Sequence, residues 1–312
     1  MTFLTNKHVK WLCILISFVL ILCLTGCSSL VTSSKTDKHA PSDSANTPVA
    51  TTPVTGELKV HFIDVGQADC ILIQQGNANM LIDAGNNEDS QTIKNYLDIN
   101  GITVLDVIIG THTHEDHIGS LNMILNTFPV GKIYFPKQTT TTKTFKDFVT
   151  AVKDNNLSLT APTVGDSFSI GDATVTILAP NGTKYDDAND YSIVTKITFG
   201  DTSFLLTGDA EAASEKEMLA SGVDLSATVL KVGHHGSKTS SSEKFINKVD
   251  PKYAVISVGA DNSYNHPANE TMQRLEANGI PVYRTDENGT IVASSDGTNV
   301  TFNTNPGDYT GR

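Results

Sequence analysis

The chain contains, in one uninterrupted segment, Val107-Ile-Ile-Gly-Thr-His112-Thr-His114-Glu-Asp116-His117-Ile-Gly119. The apolar beginning of this segment predicts a strand, and the apolar residues after it predict a helix. Since side chains alternate along an extended chain, His112 and His114 point in the same direction after the strand. Asp116 and His117, at the start of the helix, can face a second point nearby. Imidazole and carboxylate groups suit Zn²⁺ and related ions, so this segment predicts a metal site.

From residue 58 onward, short apolar runs are separated by Gly, Asn and Asp, which is typical of strands joined by turns. Predicted strands cover residues 58–63, 70–74, 79–82, 105–110, 132–135, 173–178, 192–199, 203–207, 227–232, 253–257, 291–293 and 299–302. Predicted helices cover residues 90–100, 119–126, 144–155, 211–221, 242–248 and 268–278. Two mixed sheets packed face to face, with helices outside, accommodate this order, so the expected class is α/β.

The composition limits the possible functions. The chain has 312 residues, of which 39% are hydrophobic and 18% charged, as expected for one sizeable domain or two small ones. Its formal net charge is −12, and of its 22 basic residues only Arg274, Arg284 and Arg312 are arginines. Proteins that bind long nucleic acids usually carry a basic face, because phosphate neutralisation supplies most of their non-specific affinity. The sequence predicts no extended basic face.

The N-terminal part is typical of a targeting segment. A charged start leads into an apolar run at residues 11–24, which is shorter than the ~20 residues of a membrane span. Leu24-Thr25-Gly26-Cys27 follows, and it resembles the bacterial lipoprotein signal, in which the cysteine is acylated. The resemblance implies a signal peptide at residues 1–26, lipidation at Cys27 and a location on the extracellular face of the cell membrane. An uncleaved anchor helix is the alternative.

Residues 27–56 are rich in Ser, Thr, Pro, Asp and Lys, and such a stretch buries too little apolar surface to fold. We interpret it as a disordered tether, which leaves residues 57–305 as the folded domain. Cys13 and Cys23 fall in the signal peptide, and Cys27 is the predicted lipidation site. Because only Cys70 remains, the sequence predicts no intrachain disulfide.

The histidine segment resembles the H-x-H-x-D-H signature of the metallo-β-lactamase superfamily. Further segments match its motifs in the expected order, namely Leu205-Leu-Thr-Gly-Asp209 and Lys231-Val-Gly-His234-His235-Gly-Ser237. The opening segments His61-Phe-Ile-Asp64-Val-Gly-Gln-Ala-Asp69 and Leu81-Ile-Asp83-Ala-Gly85 resemble one branch, that of the hydrolase domain of the competence protein ComEC and its stand-alone relatives. The resemblance covers residues 57–302 and implies the αββα four-layer sandwich of that superfamily.

The resemblance also implies two divalent metal ions, Zn²⁺ in the first place or Mn²⁺. The implied ligands are His112 and His114 for the first ion, Asp116 and His117 for the second, and Asp209 as a bridge between them. One of the two adjacent histidines of the later motif completes the second site. The spacing does not decide between them, and we take His234 as the ligand, with His235 left near the substrate.

The sequence departs from the superfamily or branch pattern in three ways, by one missing histidine and by two substitutions. Many members supply a third histidine to the first ion, but no histidine lies between His117 and His234. The segment Asn189-Asp190-Tyr191-Ser192 matches the Asn-x-x-Ser of the branch in this interval, so the first ion is expected to be less saturated. Ser120 and Ala68 stand where the branch usually has glycine, and both changes are expected to have mild effects.

The resemblance predicts a hydrolase in which a dinuclear metal centre activates a hydroxide. The expected catalytic residues are Asp116, His235 and His266, with a histidine steadying the substrate oxygens or protonating the leaving group. The expected substrate-binding residues are Ser237, Asn189, Ser192 and Asp69. Asp69, like Asp64 and Asp83, is expected to orient loops or ligands rather than to bind metal.

The leading hypothesis is an extracellular, membrane-anchored phosphodiesterase or nuclease of the ComEC-like kind, with no evident protein partner. Its expected substrate is a short or single-stranded nucleic acid or a cell-wall phosphodiester. The first alternative is an enzyme like the phosphorylcholine esterases that act on teichoic acid, which would need an aromatic cage for the choline cation. The second alternative is a non-catalytic lipoprotein that binds metal or ligand. A β-lactam or lactone substrate is disfavoured, because the middle histidine is absent.

Overall fold

The computed structural model describes residues 54–312, so the predicted signal peptide, Cys27 and nearly all of the predicted tether lie outside the described residues. The strands are β1 Leu58–Phe62, β2 Ile71–Gln75, β3 Ala78–Ile82, β4 Leu105–Ile109, β5 Val130–Tyr134, β6 Leu159–Thr160, β7 Ser167–Ile170, β8 Ala173–Ala179, β9 Val194–Phe199, β10 Thr202–Leu206, β11 Val229–Lys231, β12 Tyr253–Ile256, β13 Val282–Arg284, β14 Ile291–Ser295 and β15 Val300–Phe302. The helices are α1 Ser90–Ile99, α2 Glu115–Ile118, α3 Leu121–Thr127, α4 Lys143–Asp154, α5 Ala212–Ser221, α6 Glu243–Val249, α7 Asn269–Ala277 and α8 Thr285–Asn288.

The strands form two mixed sheets. The first has eight strands in the order β15-β14-β1-β2-β3-β4-β5-β6, and the second has seven in the order β13-β12-β11-β10-β9-β8-β7. β3 to β6 pair in parallel in the first sheet, and β10 to β13 do so in the second. The remaining neighbours are antiparallel. Helices supply the crossovers that parallel strands require.

Three apolar clusters hold the layers together. One lies between the sheets and receives alternate residues of each, such as Val60 of β1 and Phe204 of β10. A second packs α1, α3 and α4 on the first sheet, and a third packs α5, α6 and α7 on the second. Since burial of apolar area is the main favourable term in folding, these clusters account for the order of the layers. The structure confirms the predicted αββα sandwich of two mixed sheets.

The predicted helix at residues 119–126 differs from the structure, where two helices, α2 and α3, meet at Gly119 and Ser120. A Cβ at Gly119 would lie 2.2 Å from the carbonyl carbon of Asn86, so the chain passes too close for any side chain there. The Ser120 hydroxyl donates a hydrogen bond to the Asn86 carbonyl at 2.6 Å. The serine at the branch's usual glycine position therefore strengthens the same contact.

The structure also contains strands that the sequence did not predict, namely β6, β7 and β13. They have two to four residues each. β6, β7 and β13 all lie at sheet edges, where strands are short and carry a weak apolar pattern. Among residues 54–312, no helix combines the length and the apolar character needed to cross a membrane.

Candidate metal centre

The functional side chains follow the ends of parallel strands. The loop after β4 carries His112 and His114, and α2 begins directly behind it. Asp209 follows β10 in the other sheet, and the two adjacent histidines follow β11. Because parallel neighbours end at the same edge of a sheet, and the two sheets face each other, these loops meet at one rim of the sandwich.

Asp116, His117, Asp209 and His235 form a cluster in which one ligand atom from each residue lies within 4.8 Å of the others. The His117 Nε2 atom lies 3.2 Å from Asp209 Oδ2 and 3.8 Å from Asp116 Oδ2. The His235 Nε2 atom lies 3.3 Å from Asp116 Oδ2 and 3.6 Å from Asp209 Oδ2. Four ligands bound tetrahedrally at Zn²⁺ distances are about 3.4 Å apart. The spacing of the donors therefore fits a single bound cation.

Two candidate metal-binding atoms of this cluster have no hydrogen-bond partner among the described residues, namely His117 Nε2 and Asp209 Oδ1. Both residues are almost fully buried. Burial without a partner is costly for polar atoms, so such atoms indicate a missing ligand. Burial alone raises the pKa of Asp209, but His117 and His235 outweigh it and hold this pKa well below its usual range. An ionised carboxylate is the form that binds a metal ion.

Protonation of His117 and His235 compensates the negative charge of the buried carboxylates. Burial lowers the pKa of His117, but Asp209, Asp116 and Asp83 raise it well above its ordinary value. The pKa of His235 is also raised, because Asp209 and Asp116 outweigh the effect of burial. A divalent cation would replace these protons, since metal binding to such a site releases protons. The charges of the cluster therefore fit a bound cation as well as the distances do.

His112 and His114 lie next to this cluster, with His112 Nε2 at 3.0 Å from His114 Nδ1. His112 is fully buried, and burial together with His117 lowers the pKa of its imidazole well below the ordinary value. The Thr111 hydroxyl lies 3.1 Å from His112 Nδ1, and the Ser192 hydroxyl lies 3.4 Å from the same atom. The neutral ring thus directs Nε2 toward His114, and the two nitrogens form a second pair of candidate ligands.

The structure distinguishes the two adjacent histidines. The sequence motif favours His234 as the ligand, whereas in the structure the Nε2 atom of His235 joins the four-residue cluster. His235 is 1% exposed, and its Nδ1 lies 2.9 Å from the Ser257 carbonyl, which orients the ring. His234 is partly exposed, and its Nδ1 lies 2.8 Å from Glu211 Oε1. Both have a positive φ, 49° and 52°, which turns successive side chains in different directions.

Buried carboxylates orient the ligands from behind. Asp83 lies 2.8 Å from His117 Nδ1 and accepts hydrogen bonds from the backbone and hydroxyl of Thr111, each at 2.8 Å. Asp69 forms an ion pair of 2.6 Å with Lys231, and both side chains are almost fully buried. Its Oδ1 lies 3.5 Å from His235 Nδ1. Partners of this kind fix the orientation of metal-binding imidazoles.

The centre opens into a cleft of about 670 Å³. His114, Asp116 and Asp209 form part of its wall, and His234, Asn189 and His266 line it further out. Burial, together with His234 and His235, lowers the pKa of His266 to about 4. Within the described part of the chain, none of the residues that line this cleft is Lys or Arg. The anionic groups of a substrate therefore have no lysine or arginine to bind in this cleft.

Three of the predicted substrate-binding residues do not line the cleft. Ser192 and Asp69 are almost fully buried, and Ser192 accepts a hydrogen bond from the Asp209 backbone at 3.1 Å. Ser237 is also buried, and its hydroxyl lies 2.8 Å from that of Thr239, at a neighbouring hollow. Only Asn189 of this group lies in the cleft, where its amide donates to Glu211.

The sequence profile of the metallo-beta-lactamase superfamily matches residues 63–260. The chain belongs to this superfamily. Its membership was predicted from the histidine motif and is confirmed.

Two curated relatives support the ComEC-like branch for this chain. ComE operon protein 3 of Bacillus subtilis (strain 168) is 33% identical over 258 residues, which cover 76% of this chain and 33% of that protein. Competence protein ComA of Neisseria gonorrhoeae is 31% identical over 237 residues, which cover 75% of this chain and 32% of that protein. The chain spans about a third of the length of these relatives.

A solved structure supports the fold. The metallo-beta-lactamase fold protein YhfI from Bacillus subtilis superposes with a TM-score of 0.55 at 14% identity, covering 77% of this chain and 100% of that chain. At this identity the likeness concerns the arrangement of strands and helices alone.

Sequence reasoning missed two residues that hold parts of this candidate metal centre in place. Glu211 holds His234, Asn189 and Thr239, with its Oε1 at 2.9 Å from the Thr239 hydroxyl. Lys231 is fully buried and pairs with Asp69. A signal existed for each, because Glu211 follows the predicted bridging Asp209 by two positions and a lysine at the end of an apolar strand is unusual.

Proposed function

We propose that this domain is a metal-dependent phosphodiesterase that acts on short or single-stranded nucleic acid. The observation that carries the proposal is the cluster of Asp116, His117, Asp209 and His235, whose donor atoms face one point beside an open cleft. Membership in the ComEC-like branch, with its competence-protein relatives, supports nucleic acid over other phosphodiesters.

We propose that two divalent ions occupy the centre, with Zn²⁺ as the first choice. One ion would be held by Asp116, His117 and His235 together with Asp209 Oδ2. The second would be held by His112 and His114, and Asp209, whose Oδ1 has no hydrogen-bond partner among the described residues, would contribute to both sites. This ligand set gives His235 the role that we first assigned to His234.

The bound ions would polarise the phosphoryl group and lower the pKa of water, so that no strong protein base is required. The side chains around them orient the substrate. His234 faces the cleft with Nε2 at 3.7 Å from Asp209 Oδ2, and Glu211 fixes its ring from the other side. We therefore propose that His234 contacts the substrate and donates a proton to the leaving oxygen, with His266 and Asn189 completing the wall.

The phosphorylcholine-esterase alternative has less support. Recognition of a quaternary ammonium ion uses several aromatic rings arranged as a cage. Among the residues that line the described cleft, Tyr264 is the one phenol ring, and Phe and Trp do not occur there. A single exposed ring does not enclose a trimethylammonium group.

We also propose that the domain works outside the cell on a lipid anchor. The support is the sequence alone, in which an apolar run precedes Leu24-Thr25-Gly26-Cys27. The polar stretch that follows would let the domain stand away from the bilayer.

Hydrolysis by the full-length protein tests the proposed activity. After loading with Zn²⁺ or Mn²⁺, it is expected to cleave bis(4-nitrophenyl) phosphate and a single-stranded oligonucleotide, and a chelator is expected to stop both reactions. Asp209→Ala is expected to be the most severe change, because it removes donors from both proposed ions; Asp116→Ala is expected to abolish oligonucleotide cleavage. Metal content is measured on the same preparations.

Lys143→Ala serves as the control, because this residue forms an exposed ion pair on α4 and its loss should not alter metal content or rate. Release of phosphorylcholine from a chromogenic ester, beside an intact oligonucleotide, would show that the esterase alternative is right. Metal uptake without hydrolysis of any of these substrates would favour a binding lipoprotein.

A further inference from the structure

Tyr264 is the one aromatic residue among the exposed large hydrophobic side chains of residues 54–312, with 66% of its surface accessible. It stands on the loop between β12 and α7, at the rim of the cleft. Tyr264 and His266 also line a second hollow of about 570 Å³, which adjoins the cleft and contains Lys238. The ring therefore marks the passage from the metal centre to the neighbouring surface.

A row of rings connects Tyr264 with the metal centre. Its ring lies nearly parallel to that of His266, with an interplanar angle of 27° and centroids 5.8 Å apart. The His266 ring meets that of His234 edge-on at 5.4 Å, and His234 lies 6.1 Å from the proposed ligand His235. A flat group stacked on Tyr264 would thus lie at the outer end of this row, at the rim of the cleft.

The loop that carries Tyr264 is fastened by one side chain. The Asn262 carboxamide oxygen accepts hydrogen bonds from the backbone N–H groups of Tyr264 and His266, at 3.1 and 3.0 Å. Its NH₂ group donates to the carbonyls of Gly259 and His266, at 2.9 and 2.7 Å. The backbone that carries the exposed ring is therefore held in place before any ligand arrives, which reduces the entropy lost on binding.

Building on the proposed phosphodiesterase function, we infer that Tyr264 and His266 form a stacking subsite for a nucleobase next to the cleaved linkage. Bases stack on aromatic side chains irrespective of their identity, because every base has a π-face. The cleft itself offers acidic residues such as Asp186 and Asp187 and no lysine or arginine, so backbone phosphates gain little there. Lys238 and Arg312 both line the second hollow. Because Arg312 is paired with Asp286 at 2.8 Å, Lys238 is the cation available to the next phosphate of the strand.

Binding of a fluorescent single strand to the full-length, Zn²⁺-loaded protein tests the subsite. The strand carries phosphorothioate linkages so that it resists hydrolysis, and an abasic strand of equal length and charge is the comparison. The wild type is expected to bind the base-bearing strand about tenfold more tightly, since stacking on one ring gives differences of this order. Tyr264→Ala is expected to remove most of this preference, whereas Tyr264→Trp should retain it.

Ile99→Ala is the matched control, because Ile99 is also an exposed apolar side chain but lies on α1 outside both hollows. Equal affinity of the wild type for the two strands, or no measurable binding of the base-bearing strand, would overturn the inference. So would a loss of affinity in Tyr264→Ala that is the same for both strands. Hydrolysis of bis(4-nitrophenyl) phosphate, measured separately, reports on the proposed function and not on the subsite.

Discussion

His234 and His235 are adjacent in the chain but have different surroundings. His235 is buried against the Ser257 carbonyl with its other nitrogen in the carboxylate cluster, whereas His234 is held by Glu211 at the cleft. His235→Ala is therefore expected to weaken binding of the ion proposed at Asp116, His117 and Asp209 at least tenfold, a loss already seen when only the partner of a ligand is removed. Elemental analysis after dialysis against a weak chelator measures this loss.

His234→Ala is expected to keep its metal and to lose about 100-fold in turnover, the size of a general-acid contribution. Glu211→Ala, which releases the His234 ring, should change the rate in the same direction without loss of metal. If His234→Ala loses metal while His235→Ala retains it, the assignment made from the sequence motif is correct and the present one is not.

At the scale of elements, β1 and α1 enclose a histidine that plays no part in the metal centre. His61 is 3% exposed, and its Nδ1 lies 2.8 Å from the Tyr96 hydroxyl on α1. Burial, with the charge of Lys59, lowers its pKa from 6.5 to about 4. The unfolded chain therefore binds a proton between these values that the folded chain does not, so this histidine makes stability fall as the pH drops through that interval.

The expected contribution of His61 is at most about 3 kcal/mol between pH 7 and pH 4. Urea unfolding of the wild type and of His61→Gln at both pH values, with chelator present throughout, measures it. The glutamine variant cannot take up the proton, so its stability should fall less over the same interval. Equal losses in the two proteins would show that the β1–α1 contact does not depend on this proton.

For the whole molecule, the proposed lipid anchor determines where the enzyme meets its substrate. If Cys27 is acylated, the wild type is expected in the membrane fraction and open to protease on intact cells. Cys27→Ser should shift the protein to soluble or uncleaved forms, because two or more acyl chains are needed for stable anchoring. Fractionation and mass spectrometry distinguish these forms. Recovery of the wild type wholly in the cytosolic fraction would contradict the proposal.

Much of the fold was predictable from local patterns in the sequence. The apolar runs predicted twelve strands at or within a few positions of their observed places, since each buries at least one face and so carries a periodic signal. The segment from His112 to His117 identified the candidate ligands of one loop and helix, because they are close in the chain. What the pattern missed were short strands at sheet edges, such as β6 and β7, where burial is incomplete.

The sequence by itself therefore determined the superfamily, the order of the layers and the types of ligand. Only the tertiary structure decided which residues meet. Asp116 and His235 are separated by 119 positions, and their contact depends on how the two sheets pack. The same packing buries Asp69 with Lys231 behind the ligands and places Ser237 outside the cleft. Motif spacing describes neighbours along the chain, whereas a metal centre depends on distances of a few ångströms between loops of different sheets.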